Sequence, residues 1–104
     1  MIEGLVSGRV WSAAERRLDK TGRAFCVAKL RLVGADSDGL LVNLIAFDQA
    51  VCESLFQLRE GDAVAVSGAL TPKVWLDKQG NAKPALDMVA HRLLSLVETH
   101  SRGG

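Results

Sequence analysis

The chemistry available to this sequence starts from its few flat side chains. The 104 residues hold two tryptophans, three phenylalanines and no tyrosine. One tryptophan, Trp75, falls in the polar stretch KVWLDKQGNAKP, with Lys73, Lys78 and Lys83 around it and a glycine turn signal beside it. Phe47 closes the apolar run LLVNLIAF, and Trp11 ends the alternating run GLVSGRVW. A ring set among lysines can do two things at once: its face stacks on a flat unsaturated partner, and the ammonium groups neutralise negative charge. Each ring also has a structural use that the sequence alone leaves open. Phe47 can cap the end of a barrel, Trp75 can pack under its own hairpin or in a subunit interface, and Trp11 can serve the core or an interface.

The placement of charge favours an anionic partner more than the net charge of +1 does. Residues 1–34 hold seven Lys/Arg against three Asp/Glu, residues 35–62 one against six, and residues 63–104 five against three. Phosphate binding needs local positive charge, whatever the total. Arg16, Arg17, Lys20 and Arg23 read as a basic loop after the first strand, a composition that an ordinary solvated face shares. Catalysis has little support, because no nucleophile is paired with a base, no glycine loop cradles a phosphate, and His91 and His100 lie late in the chain. Cys26 and Cys52 sit in apolar contexts without CxxC spacing and read as small buried hydrophobes, so neither a metal nor another cofactor is expected. With no run of about 18 apolar residues and no leader pattern, the expected location is the cytoplasm.

These side chains need a scaffold, and the periodicities supply one. GLVSGRVW alternates, with Val6, Gly8 and Val10 on one face and Leu5, Ser7, Arg9 and Trp11 on the other, as in a strand. AFCVAKLRLVG predicts a second strand, with Cys26, Ala28, Leu30 and Leu32 on an apolar face and Phe25, Val27, Lys29 and Arg31 on a mixed one. LLVNLIAF predicts a third, in a hairpin with the second across the turn GADSDG. DQAVCESLFQLREGD changes to a helical period, with Val51, Cys52, Leu55, Phe56 and Leu58 on one stripe, Asp48 as N-cap and Gly61 ending the last turn. AVAVSGAL predicts a fourth strand, and KVWLD and PALDMVAHRLLSLV predict the arms of a last hairpin around KQGN. The first strand, with Leu5, Val6 and Val10, offers an edge for association.

Three strands, one helix and two or three further strands suit an all-β protein with the OB-fold, a five-stranded Greek-key barrel whose helix lies between strands three and four. The rival is an open sheet covered by a helix. One domain over residues 1–98 with a frayed tail at 99–104 fits the length. If Val42, Leu44 and Ala46 face the barrel interior, then Leu41, Asn43, Ile45 and Phe47 face outward beside Lys29 and Arg31. Large apolar groups turned to water beside two cations suit an unpaired nucleic-acid strand, since OB-folds lay such strands across strands two and three.

The runs VSGRV, TGRAFCVAKLRL, NLIAFDQAVCESLFQLREGDAVAVSGAL and VWLDKQGNAKPALDMVAHRL together resemble the bacterial single-stranded DNA-binding protein (SSB) family over almost the whole chain. Phe47, Gly61, Gly68, Trp75, Asp77, Gly80 and Asp87 fall in register with that family's pattern. The resemblance implies an OB-fold, single-stranded DNA binding in replication, recombination or repair, and assembly into homodimers or homotetramers. It also implies that Phe47 and Trp75 are stacking positions and that Lys73 and Lys83 touch phosphates. Departures from the pattern include Leu41 where a tryptophan is common, Gln49 and Glu60 where lysines are usual, and Thr71 for a common arginine. The short connection between the second and third strands, and the lack of a linker with an acidic tip, imply lower affinity per subunit and no recruitment of replication proteins through such a tail. A second resemblance, to the short primosomal replication-restart proteins of the PriB type, rests on the LVSGRVW opening and the tailless end. It implies an adaptor that works mainly through protein contacts, with replication-restart proteins as partners.

Overall fold

Among the described residues, alternating apolar residues build five strands and an apolar stripe of helical period builds one short helix: β1 (Ile2–Leu18), β2 (Ala24–Leu32), β3 (Leu40–Ala46), α1 (Gln49–Phe56), β4 (Ala63–Leu76) and β5 (Ala82–Ser95). The computed structural model describes residues 2–32 and 40–96. The turn expected at 34–39, the tail expected at 99–104 and His100 lie outside the described residues. The strands close into a barrel in the order β1-β2-β3-β5-β4, antiparallel throughout except for the parallel pair β3–β5. Of the two architectures left open by the sequence, the closed barrel is the one formed.

The inward faces are those that the alternation predicts: Val6 and Val10, then Cys26, Ala28 and Leu30, then Val42, Leu44 and Ala46, are all buried. Val64, Val66, Met88 and Ala90 complete the core from the last two strands. α1 closes one end by burying Val51 and Leu55, with Leu58 following in the next turn. Asp48 caps it as expected, its carboxylate accepting the Val51 N–H at 3.1 Å. The helix is shorter than its apolar stripe suggests. It ends at Phe56, whose ring is exposed, and Gly61 (φ 90°) serves a separate turn whose N–H donates to the Val10 carbonyl at 2.8 Å.

Three expectations change. β1 runs on to Leu18, so Arg16 and Arg17 are strand residues paired with Cys26 and Phe25, and only Lys20 and Arg23 belong to the connection. Nor is β1 an uncovered edge: Ile2–Arg9 pairs with β4 and Arg9–Leu18 with β2, so Val6 and Val10 face the core while Leu5 stays exposed. The predicted fourth strand and the first arm of the last hairpin are one strand, β4, that passes through Pro72. Asp77 donates its N–H to the Asn81 carbonyl, making that a hydrogen-bonded pair. Pro72/Leu86 and Val74/Pro84 therefore fall on non-hydrogen-bonded pairs, where the missing N–H breaks no rung of this hairpin.

Both long hairpins turn the same way. In Asp19-Lys20-Thr21-Gly22-Arg23 and Asp77-Lys78-Gln79-Gly80-Asn81, the glycine N–H donates to the aspartate carbonyl at 3.0 Å and the glycine takes positive φ, 87° and 82°. This is a type I turn closed by a left-handed residue, where glycine adds no steric cost. The Asp19 carboxylate accepts from Thr21 Oγ1 and from the N–H groups of Thr21 and Arg23, and the Asp77 carboxylate from those of Gln79 and Asn81. Hydrogen bonding to the charged form holds both below the ordinary value: the Thr21 hydroxyl acts most strongly on Asp19, the Asn81 N–H on Asp77.

Candidate nucleic-acid interface

Paired residues on neighbouring strands project to the same side, so the register lays out the outer face in rows. One row crosses all five strands and is polar: Ser12, Lys29, Asn43, Asp87 and Thr71. On one side of it lies Glu15, Val27, Ile45, Val89 and Ala69, apolar beyond its first member. On the other lies Arg9, Arg31, Leu41, Ala85 and Lys73. The next row along the β4–β5 hairpin is Trp75 with Lys83. At the opposite end of the face stand Phe25 and Phe47, ring centroids 5.9 Å apart and planes tilted by 42°.

An open groove of about 650 Å³ runs over the half of the face between Phe47 and the polar row, lined by Arg17, Val27, Lys29, Asn43, Ile45, Phe47 and Asp87 among others. Phe47 is 57% exposed and Trp75 41%. Along the strands, the step from the Phe47 row to the Trp75 row is eight residues, about 26 Å at ~3.3 Å per residue. Trp11, 51% exposed at a bulge in β1, has Lys29 Nζ at 6.0 Å and Arg31 Cζ at 5.9 Å from its ring centroid. Those cations hold it over the basic edge of the face. Arg17, Lys29, Arg31, Lys73 and Lys83 outnumber the carboxylates of Glu15 and Asp87 on these rows. Glu15 sits 3.4 Å from Arg17, and Asp87 sits 2.9 Å from Lys73.

The structure thus places Phe47, Lys29, Arg31, Arg17, Lys73, Lys83, Trp75 and Trp11 on one face. Lys78 stands apart on the tip of the β4–β5 hairpin. Arg16 turns the other way and lines a second groove of about 480 Å³ against α1, together with all three phenylalanines, Cys26 and Cys52. Burial pushes the Cys26 thiol up to about 12, and its neighbour Cys52 adds to the rise. Cys52 is only half-buried, and its thiol donates to the Ala46 carbonyl at 3.3 Å. Two members of the face escape sequence reasoning as site residues. Phe25 was visible on the mixed side of its strand, but its contact with Phe47 depends on register. Asp87 gains its meaning only from Asn43 and Lys73, which lie 44 and 14 positions earlier in the chain.

What the face can do chemically follows from its parts. Exposed rings at both ends offer stacking surfaces, a cationic flank offers charge neutralisation, and the polar middle row offers hydrogen bonds to base edges. No protein-family model and no curated protein matches the chain. Solved structures do resemble it. The small single-stranded DNA-binding protein of Streptomyces coelicolor superposes with a TM-score of 0.71 at 19% identity, over 90% of this chain and 93% of that one. A mitochondrial single-stranded DNA binding protein of S. cerevisiae gives 0.73 at 15% identity, over 93% and 95%. A Plasmodium falciparum SSB in complex with single-stranded DNA gives 0.68 at 17%, over 93% and 96%. At these identities the likeness speaks for architecture, and with the closed 1-2-3-5-4 strand order it shows that the chain is an OB-fold barrel.

Proposed function

We propose that this chain is an SSB-family protein that binds single-stranded DNA irrespective of sequence, in replication, recombination or repair, without a catalytic step. Bases stack on Phe47 and Trp75, while Lys29, Arg31, Lys73, Lys83 and Arg17 neutralise phosphates and Trp11 extends the stacking surface at the β1 bulge. Lys78 and Arg16 act at the margins, one on the hairpin tip and one in the groove beside α1. The observation that carries the reading is the placement of two exposed rings at opposite ends of one cationic sheet face. The likeness to three proteins described as binding single-stranded DNA supports it.

Titration with oligo-dT tests the proposal: tryptophan fluorescence falls, and log affinity declines linearly with log salt as counterions are released. A flat titration at low salt rejects it. Assembly into a homodimer or homotetramer and residence in the cytoplasm belong to the same proposal. Exposed Leu5 and Leu94 offer the apolar surface for association. That surface also favours the second reading, a restart adaptor of the PriB type in which protein contacts dominate. There, oligo-dT affinity is slight from the outset, and partner capture survives replacement of Phe47 and Trp75 by alanine.

A further inference from the structure

One carboxylate stands in the polar middle row of the face. Asp87 sits in the polar row between Asn43 and Thr71, with its side chain half exposed in the groove. Asn43 donates from Nδ2 to Asp87 Oδ1 at 3.2 Å, and Lys73 Nζ lies 2.9 Å from the same oxygen. These two partners anchor the carboxylate through Oδ1. An aspartate is an acceptor only, and donation from the Asn43 amide nitrogen leaves that residue's carbonyl as a second acceptor. At its centre the middle row therefore presents two acceptors, Asp87 and the Asn43 carbonyl, between the Lys29 ammonium on one side and the Thr71 hydroxyl on the other.

Bases differ sharply toward such a surface. Cytosine carries an exocyclic amino group that donates to a carboxylate, whereas uracil and thymine carry a carbonyl at the same position and keep as their only donor on that edge the N3–H, flanked by two carbonyl lone pairs. The stacking platforms do not make this distinction, because every base has a π-face. We propose that Asp87 gives this groove a base preference, favouring amino-bearing bases, cytosine first among the pyrimidines, over uracil and thymine. Asn43 positions the carboxylate, and Lys73 keeps its charge compatible with a nearby phosphate. The inference rests on the single-stranded DNA reading and modifies it: stacking admits any sequence, and Asp87 ranks the sequences admitted.

Oligo-dC and oligo-dU of about 20 nucleotides, longer than the 4–16 that an OB-fold covers, test it with the full chain. The two homopolymers differ at the 4-position and in the N3 proton, and neither carries the methyl group that distinguishes thymine. The native protein binds oligo-dC roughly fivefold more tightly, the low end of what a base-edge hydrogen bond contributes. Asp87→Asn, similar in size and able both to donate and to accept, brings the ratio below about twofold, chiefly by strengthening oligo-dU. Lys73→Gln weakens both oligomers and keeps the ratio. Equal binding of the two by the native protein, an unchanged ratio in Asp87→Asn, or an equal loss on both in that variant overturns the inference. Each of these outcomes leaves single-stranded DNA binding standing, whereas no binding of either oligomer at low salt overturns the proposed function itself.

Discussion

Separating the two stacking platforms by oligonucleotide length examines the geometry on which the functional reading depends. Phe47 and Trp75 stand about 26 Å apart along the strands at ~3.3 Å per residue, with the Ile45, Asn43 and Leu41 rows between them. A strand at the stacked spacing of about 3.4 Å needs about eight nucleotides to reach both, and an extended one needs fewer. Removing a stacking ring costs about 1–3 kcal/mol per base, or roughly 5- to 150-fold in affinity. With an oligo-dT of about 12 nucleotides, Phe47→Ala and Trp75→Ala each weaken binding by that much. Their effects add in the double variant, because sites farther apart than about 10 Å without shared partners act independently. With an oligomer of about four nucleotides each ring acts alone, so either single variant loses no more than about half the binding, and only the double variant loses it. Fluorescence anisotropy at fixed low salt measures all eight affinities. Strong coupling between the two substitutions on the long oligomer, or equal losses on both lengths, would refute the picture of two separate platforms on one sheet face.

Other consequences of the structure are open to direct measurement. A Cβ at Gly68 would lie 1.9 Å from the Val89 carbonyl oxygen at the β4–β5 bulge, so Gly68→Ala must shift backbone. Overpacking of this kind costs about 2–3 kcal/mol and lowers Tm by on the order of 10–20 °C, readable by circular dichroism. The lowered pKa values of Asp19 and Asp77 mean that the unfolded turns bind protons more readily than the folded ones. Their stabilisation is therefore present above the ordinary value of 3.8 and is lost as pH falls through the lowered folded values; amide shifts of Thr21, Arg23, Gln79 and Asn81 should move together only in that acid range. Cys26, buried and with its pKa near 12, stays unreactive at neutral pH, so a thiol reagent titrates one thiol, Cys52, in the native protein and both after denaturation.

Much of this protein was legible from local pattern. Period-two alternation identified the inward faces of β1, β2 and β3, because a pleated strand buried on one side has to alternate. The N-cap Asp48 and the glycine turns were readable for the same local reason: hydrogen bonding and positive φ within a few residues. The basic stretch after Trp11 was misread as a loop because Ala13, Ala14 and Glu15 lack strand propensity; pairing with β2 overrides that preference. Pro72 suggested a break in β4, yet its position on a non-hydrogen-bonded pair lets the strand continue.

The sequence by itself determined which side chains could serve a stacking and charge-neutralising surface, since residue type sets that chemistry. Tertiary structure decided which of them share a face. Register brings Phe25 against Phe47, places Asp87 between Asn43 and Lys73, and decides that Arg17 rather than Arg16 joins the outer face. Each of these arrangements depends on pairing between strands distant in sequence, where a slip of one residue would send every side chain to the opposite side of the barrel wall.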